Sequence, residues 1–165
     1  LYINMQKVVF LDRDGVINKN RKNYVKNVDE LEIFPEIGNL IKLLKNNGFL
    51  IIVITNQSAI NRGLTTHNKI NEIHNKIQKY LEQFMTSIDY FYYCPHTPEE
   101  KCVCRKPNPG LILKAVREHS IDLQSSWFIG DQETDMLAAK NAGCNYFLVK
   151  NRTEMNNAVK QIINN

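Results

Sequence analysis

Short apolar runs alternate along this chain with longer segments of helical period, and few folds accommodate that alternation. KVVFL at Lys7–Leu11 and FLIIVI at Phe49–Ile54 read as continuous apolar strands buried on both faces. Asp89–Tyr93, Ser126–Ile129 and Tyr146–Val149 give three more strands. Helical segments lie between them. Glu36–Asn46 sets Ile37, Leu40, Ile41 and Leu44 on one face and stops at Gly48, and Thr66–Phe84 does the same with Ile70, Ile73, Ile77, Leu81 and Phe84. Asn108 reads as an N-cap with Pro109 at the first helical position, ahead of Leu111, Ile112, Ala115 and Val116. Thr134–Asn141 forms a fourth helix ended by Gly143, and a last helix closes the chain. Strands separated by helices pair in parallel through right-handed crossovers, so the expected fold is α/β with three layers.

The 165 residues carry no internal repeat and no Pro/Gly/Ser linker, which predicts a single domain over 1–165 with a sizeable core. Leu1–Asn4 precede Met5 and enter no fold argument. No apolar run approaches the roughly 18 to 20 residues that span a bilayer. LYINMQKVVF lacks a basic region followed by a long apolar stretch, so a cytoplasmic protein with no membrane partner is expected. The net charge of +4 reflects ordinary solubility; with no Lys/Arg block or base-stacking aromatic motif, no nucleic-acid partner is implied.

In open α/β sheets, ligands bind beyond the carboxyl ends of the strands, so the residues that follow each strand carry the functional information. They are Asp12-Arg13-Asp14-Gly15, Thr55-Asn56-Gln57-Ser58, a loop ending in Arg105-Lys106, and Gly130-Asp131 with Asp135 one helical turn later. Each piece alone is an ordinary set of turn residues. Together they suit phosphoryl transfer assisted by Mg²⁺. Asp12, Asp131 and the backbone carbonyl of Asp14 offer the oxygen ligands this hard cation prefers. A carboxylate is also a competent phosphoryl nucleophile. Asp12 and Asp14 are two positions apart and leave the strand end on the same side, so one can attack while the other moves protons. Lys106 and the Thr55 hydroxyl would neutralise the transition state.

The loop Cys94-x-His96-x5-Cys102-x-Cys104 gathers three of the four cysteines of the chain. A disulfide knot suits a cytoplasmic chain poorly and leaves one thiol over. Free thiols remain a reading for scattered cysteines. Four soft ligands so close together suit tetrahedral Zn²⁺, although the pairs are spaced more tightly than the usual C-x₂-C. With four protein ligands such a site would be structural. His67 and His74 are placed on the polar face of their helix, His119 near a helix end in solvent, and Trp127 in the core. Lys19, Arg21, Lys22 and Arg62 read equally as solvated charges or as cations that draw in a second phosphate.

At DRDG (Asp12–Gly15), TNQS (Thr55–Ser58), RKP (Arg105–Pro107) and GDQETD (Gly130–Asp135) the chain resembles the haloacid dehalogenase-like phosphatases. The resemblance runs from Lys7 to about Lys150 and implies a Rossmann-like fold. The short Val16–Phe34 stretch implies no cap domain, so the chain is similar to the capless branch, whose zinc loop has the form C-x-H…C-x-C-R-K-P. DRDGVIN followed by Tyr24-Val25, and TNQSAINRG, resemble the members acting on heptose bisphosphates, with histidinol phosphate as the alternative substrate. By this resemblance Asp12 is the nucleophile and Asp14 the acid/base, and Asp12, Asp14 and Asp131 hold Mg²⁺. Thr55 and Lys106 stabilise the phosphoryl group. Asn56, Gln57, Ser58, Arg105 and Lys106 contact a small phosphorylated sugar. Cys94, His96, Cys102 and Cys104 hold structural Zn²⁺, which would clip the backbone carrying Arg105 and Lys106. A monomer is expected. A dead scaffold used only for binding is disfavoured because each catalytic group is present. Two positions depart from the pattern: Ala59 replaces a glycine, and Gln132 stands where a lysine or arginine is usual.

Overall fold

A computed structural model describes residues 4–165, so Leu1–Ile3 lie outside it. Five strands form one parallel sheet: β1 (Val8–Leu11), β2 (Leu50–Asn56), β3 (Tyr90–Cys94), β4 (Trp127–Gly130) and β5 (Asn145–Leu148), in the order β3-β2-β1-β4-β5. The helices are α1 (Ile37–Asn46), α2 (His67–Glu82), α3 (Gly110–His119), α4 (Glu133–Ala142) and α5 (Arg152–Ile163). The fold is the expected Rossmann-like α/β arrangement.

Strand periodicity builds two cores. Val9, Leu11, Ile51, Val53 and Ile129 face one way and pack with residues of α1, α2 and α5. Val8, Phe10, Ile52, Ile54 and Phe128 face the other way and pack with α3 and α4. The split follows the connections. The chain steps outward from β1 through β2 to β3, then crosses back to β4 and β5, so a constant crossover hand puts the return helices on the opposite face. The order reverses between β1 and β4, and their carboxyl ends flank the resulting crevice. Among the described residues the β1–α1 connection holds a 3-10 turn, Val28–Glu30, and isolated bridges of Asn18 to Asp14 and Ile33, too little for an inserted cap domain.

Several local expectations change. The helix over Thr66–Phe84 starts at His67, with the Thr66 hydroxyl capping the Lys69 N–H, and ends at Glu82 before Phe84. Asn108 does not cap α3: its side chain donates to the Cys102 carbonyl at 2.9 Å, and Pro109 occupies the cap position. His74 is buried, not solvated. It stands one turn from Ile70 and Ile77 on the apolar stripe and stacks on Phe91 with ring centroids 4.3 Å apart. His119 stacks on Tyr90 at 3.7 Å and meets the Tyr92 hydroxyl at 2.8 Å, so solvent is not its only neighbour. Trp127 is half-buried against Phe147. No described helix is long and apolar enough to cross a membrane.

Candidate active site

The site begins where β1 ends. Asp12 is 7% exposed, and its N–H donates to the Ile129 carbonyl of β4, which seats it at the crevice. Lys106, only 3% exposed, reaches the same point from the far side of β2. Its ammonium lies 3.1 Å from Asp12 Oδ1 and 2.6 Å from Asp135 Oδ1, and donates to the Ile54 carbonyl at 2.9 Å. Three acceptors for three N–H donors saturate this buried cation. Its backbone is held as well: the Lys106 N–H donates to Asn56 Oδ1 at 3.1 Å while Asn56 Nδ2 donates to the Lys106 carbonyl at 3.2 Å. Asp135, in the first turn of α4, accepts the N–H groups of Asp131 and Gln132, each at 3.1 Å.

Two glycines let these groups converge. Gly15 has φ +88°, and a Cβ there would collide with the Asp131 carboxylate. A Cβ on Gly130 would collide with Asp135. Asp12, Asp131 and Asp135 each place a carboxylate oxygen within 4.8 Å of the others. Asp131 Oδ1 is buried with no hydrogen-bond partner. An orphaned, desolvated carboxylate oxygen beside two more carboxylates fits a hard divalent cation. Burial pushes Asp12 up to about 8, reinforced by Asp135, Asp14 and Asp131 and opposed by Lys106. Burial raises Asp131 as well. A bound cation reverses that direction for Asp12 and Asp131.

Asp14 behaves oppositely. Burial alone would raise it, yet Arg13, Asn18 and Gln57 together hold it below its usual range. Arg13, with no exposed surface, donates to Asp14 Oδ1 from Nη2 at 2.9 Å, Asn18 donates to the same oxygen at 2.9 Å, and Gln57 Nε2 donates to Oδ2 at 2.9 Å. The carboxylate of Asp14 lies outside the cluster formed by those of Asp12, Asp131 and Asp135. Of the remaining sequence candidates, Thr55 is buried and accepts from Gln57 Nε2 at 3.0 Å, and Asn56 and Arg105 join Asp12, Asp14 and Lys106 in lining a cleft of about 210 Å³. Gln57 and Ser58 are buried behind the cleft, Gln57 serving Asp14 and Thr55, and neither lines it. Sequence reasoning missed Asp135 as the partner of Lys106 and Arg13 as the anchor of Asp14. The first signal was present: Asp135 ends GDQETD one turn after Asp131.

The Cys/His loop converges as its spacing implied. Cys94, His96, Cys102 and Cys104 hold their ligand atoms within 4.8 Å of one another, with Sγ···Sγ distances of 3.0 to 3.5 Å and His96 Nδ1 3.3 Å from Cys94 Sγ and 3.2 Å from Cys104 Sγ. Zn–S bonds of about 2.3 Å in a tetrahedron put sulfurs roughly 3.8 Å apart, so the cluster is compatible with zinc. All four cysteines are free of disulfides. Burial pushes the Cys102 thiol up, but the Arg105 N–H and the neighbouring sulfurs outweigh it and bring it down to about 7. Arg105 is tied to the same loop through its Nη1, which donates to the His96 carbonyl at 3.1 Å.

Comparison with known proteins agrees with this geometry. A family model described as "HAD-hyrolase-like" matches residues 103–163. The chain is 43% identical over 152 residues to the D-glycero-beta-D-manno-heptose-1,7-bisphosphate 7-phosphatase of Helicobacter pylori, covering 90% of this chain and 87% of that protein. A solved D,D-heptose 1,7-bisphosphate phosphatase from B. bronchiseptica, complexed with magnesium and phosphate, superposes with a TM-score of 0.83 at 36% identity, covering 87% of this chain and 80% of that one. A putative HAD-like phosphatase from Mesorhizobium loti gives a TM-score of 0.86 at 26% identity, covering 97% and 87%. The chain belongs to the haloacid dehalogenase-like phosphatases, enzymes that hydrolyse phosphate monoesters. Within that class the curated Helicobacter pylori relative above and three others at 37% to 45% identity carry one name, that of heptose-1,7-bisphosphate 7-phosphatases.

Proposed function

We propose that this enzyme removes the 7-phosphate of D-glycero-D-manno-heptose 1,7-bisphosphate, using Mg²⁺, through a phosphoryl group carried on Asp12. The observation that carries the chemistry is the buried array of Asp12, Lys106 and Asp135 beside the orphaned oxygen of Asp131. The substrate follows from the relatives' shared name and from the capless, open cleft.

Asp12, Asp131 and Asp135 would hold the cation, with the Asp14 backbone carbonyl a further donor. When bound, Mg²⁺ supplies charge neutralisation at the phosphoryl oxygens and keeps Asp12 ionised. An Asp12 carboxylate oxygen attacks phosphorus and the bond from phosphorus to the sugar oxygen breaks. Asp14 gives its proton to the departing alkoxide. Arg13, Asn18 and Gln57 hold Asp14 low in the free enzyme, and an arriving phosphate dianion raises it by like-charge repulsion. Water then attacks the phosphorus while Asp14 takes its proton, the bond to Asp12 breaks, and inorganic phosphate leaves. Lys106 and the Thr55 hydroxyl stabilise the charge spread over the phosphoryl oxygens in both steps. Arg105 and Asn56 contact substrate from the cleft wall; Gln57 and Ser58 support it from behind. Cys94, His96, Cys102 and Cys104 hold Zn²⁺ as a structural clip.

Residues 1–165 act as one phosphatase domain. The free cysteines suit a reducing compartment, hence the cytoplasm, and a monomer is part of this reading. The deciding experiment measures Mg²⁺-dependent phosphate release from heptose 1,7-bisphosphate and histidinol phosphate, side by side, for the wild type and Asp12→Asn. The wild type prefers the bisphosphate and Asp12→Asn abolishes turnover of both. Preference for histidinol phosphate overturns the substrate; a near-normal rate in Asp12→Asn overturns the mechanism.

A further inference from the structure

We propose that a second anion-binding site, centred on Lys150, lies beside the catalytic cleft and takes the distal phosphate of a bisphosphate substrate. The inference rests on the bisphosphate reading above and names the residue that confers it.

The catalytic cleft of about 210 Å³ is open, so an extended substrate anchored at Asp12 can reach past it. Next to it lies a larger cavity of about 410 Å³, walled by the β1 loop on one side and the β5–α5 loop on the other. The two spaces share Asn20, Asp131 and Gln132 as a common wall. A molecule anchored at Asp12 that leans over Asp131 enters this second space.

Gln132 sits on the wall where it could meet a second phosphate, but its amide is already engaged. Its Nε2 donates to Asp131 Oδ2 at 3.1 Å, and its backbone is tied into the start of α4, the carbonyl accepting the Asp135 N–H at 3.0 Å and the N–H donating to Asp135 Oδ2 at 3.1 Å. Three cations line the larger cavity. Lys19 is paired with Glu32 at 2.8 Å, and Arg152 is paired with Glu36 while its guanidinium lies 3.6 Å over the Phe34 ring. Lys150 alone of the three has no carboxylate partner among the described residues. Its Nζ donates to the Asp131 carbonyl at 3.3 Å, which tethers it over the shared wall and leaves further N–H donors for a ligand.

The backbone under Lys150 is fixed although its side chain is exposed. Its N–H donates to Glu154 Oε2 at 2.6 Å, and Asn151 caps α5 by accepting the Glu154 N–H at 2.9 Å. The residue stands just past the carboxyl end of β5, on the same sheet edge as Asp12 and Asp131. The chain thus supplies from the β5–α5 loop the cation that Gln132 does not provide.

The test compares kcat/KM for heptose 1,7-bisphosphate with that for p-nitrophenyl phosphate in the wild type, Lys150→Ala and Lys150→Arg. The ratio of the two constants is expected to fall about tenfold in Lys150→Ala, the size of one charge-assisted contact, mostly through KM for the bisphosphate, and to recover in Lys150→Arg. A wild type that shows a high ratio kept intact by Lys150→Ala overturns this site alone. A wild type with no preference for the bisphosphate overturns both this site and the substrate reading.

Discussion

Lys106 and Lys150 stand at two depths of one crevice and are held in opposite ways. Lys106 is 3% exposed, saturated by Asp12, Asp135 and the Ile54 carbonyl, and carried on a backbone clamped by Asn56 and by the Cys/His loop. Lys150 is exposed and has a single carbonyl partner. A cation that stabilises a transition state gains most when it is oriented before substrate arrives and does not reorganise during the reaction. A cation that recognises a distal group only has to lower the free energy of binding, and solvent can remain around it. The inner cation is expected to govern kcat and the outer one KM.

The largest effect beyond loss of the nucleophile is expected at Lys106. Lys106→Ala should lower kcat by roughly 10² to 10³, the usual loss for one preorganised electrostatic group. It also leaves the buried carboxylates of Asp12 and Asp135 without their cation, so a thermal melt should show destabilisation. A change confined to KM would erase the distinction between the two lysines.

Next comes the clip. Cys102→Ser, or zinc stripped by a chelator, frees the backbone that carries Arg105 and Lys106, and activity should fall about 10- to 100-fold, as when the support of a functional group is removed. Magnesium affinity, read by titration calorimetry, should stay near the wild-type value because the Asp12, Asp131 and Asp135 trio is untouched. Unchanged kinetics in folded, zinc-free protein would mean that the carboxylates and Asn56 suffice to hold Lys106.

The smallest effect tests the wall behind the catalytic carboxylates. Burial pushes the His74 imidazole down from 6.5 to about 3, with Arg13 acting in the same direction and Asp14 against it. Its Nε2 is buried without a hydrogen-bond partner. Between those two values the unfolded chain binds a proton that the folded one does not. The stability from a neutral His74 is complete above pH 6.5 and is lost as pH falls toward 3, by at most roughly 1.4 kcal/mol per pH unit. Urea melts of the wild type and His74→Gln between pH 7 and 4 should show a shallower decline in the variant. Parallel declines would assign the acid sensitivity to the carboxylates.

Much of the fold is legible in the chain because it rests on local periodicity. The runs KVVFL and FLIIVI are short, apolar and rich in β-branched residues, so they read as strands covered on both faces, and the alternation of β1 side chains sends Val9 and Leu11 to one core and Val8 and Phe10 to the other. The catalytic candidates follow because chemistry in this architecture gathers at strand ends, and the cysteine spacing needs only a short loop to close. Helix ends were less legible. Asn108 has the composition of an N-cap, yet it bonds the Cys102 carbonyl because the loop folds back over the start of α3, where a Cβ on Gly110 would collide with the Val103 carbonyl.

The sequence by itself determined the layer order, the residues at each strand end and the identity of the soft-ligand cluster, because each depends on neighbours a few positions away. Tertiary structure decided how the charges were shared out. It paired Lys106 with Asp135 as well as Asp12, turned Asp14 toward Arg13, tied Gln132 into the cap of α4, buried His74 against Phe91 and left Lys150 without a carboxylate partner among the described residues, beside a second cavity. Coulombic and hydrogen-bond partners are chosen by distance in space, and the switch between β1 and β4 brings together at one edge residues that lie more than a hundred positions apart in the chain.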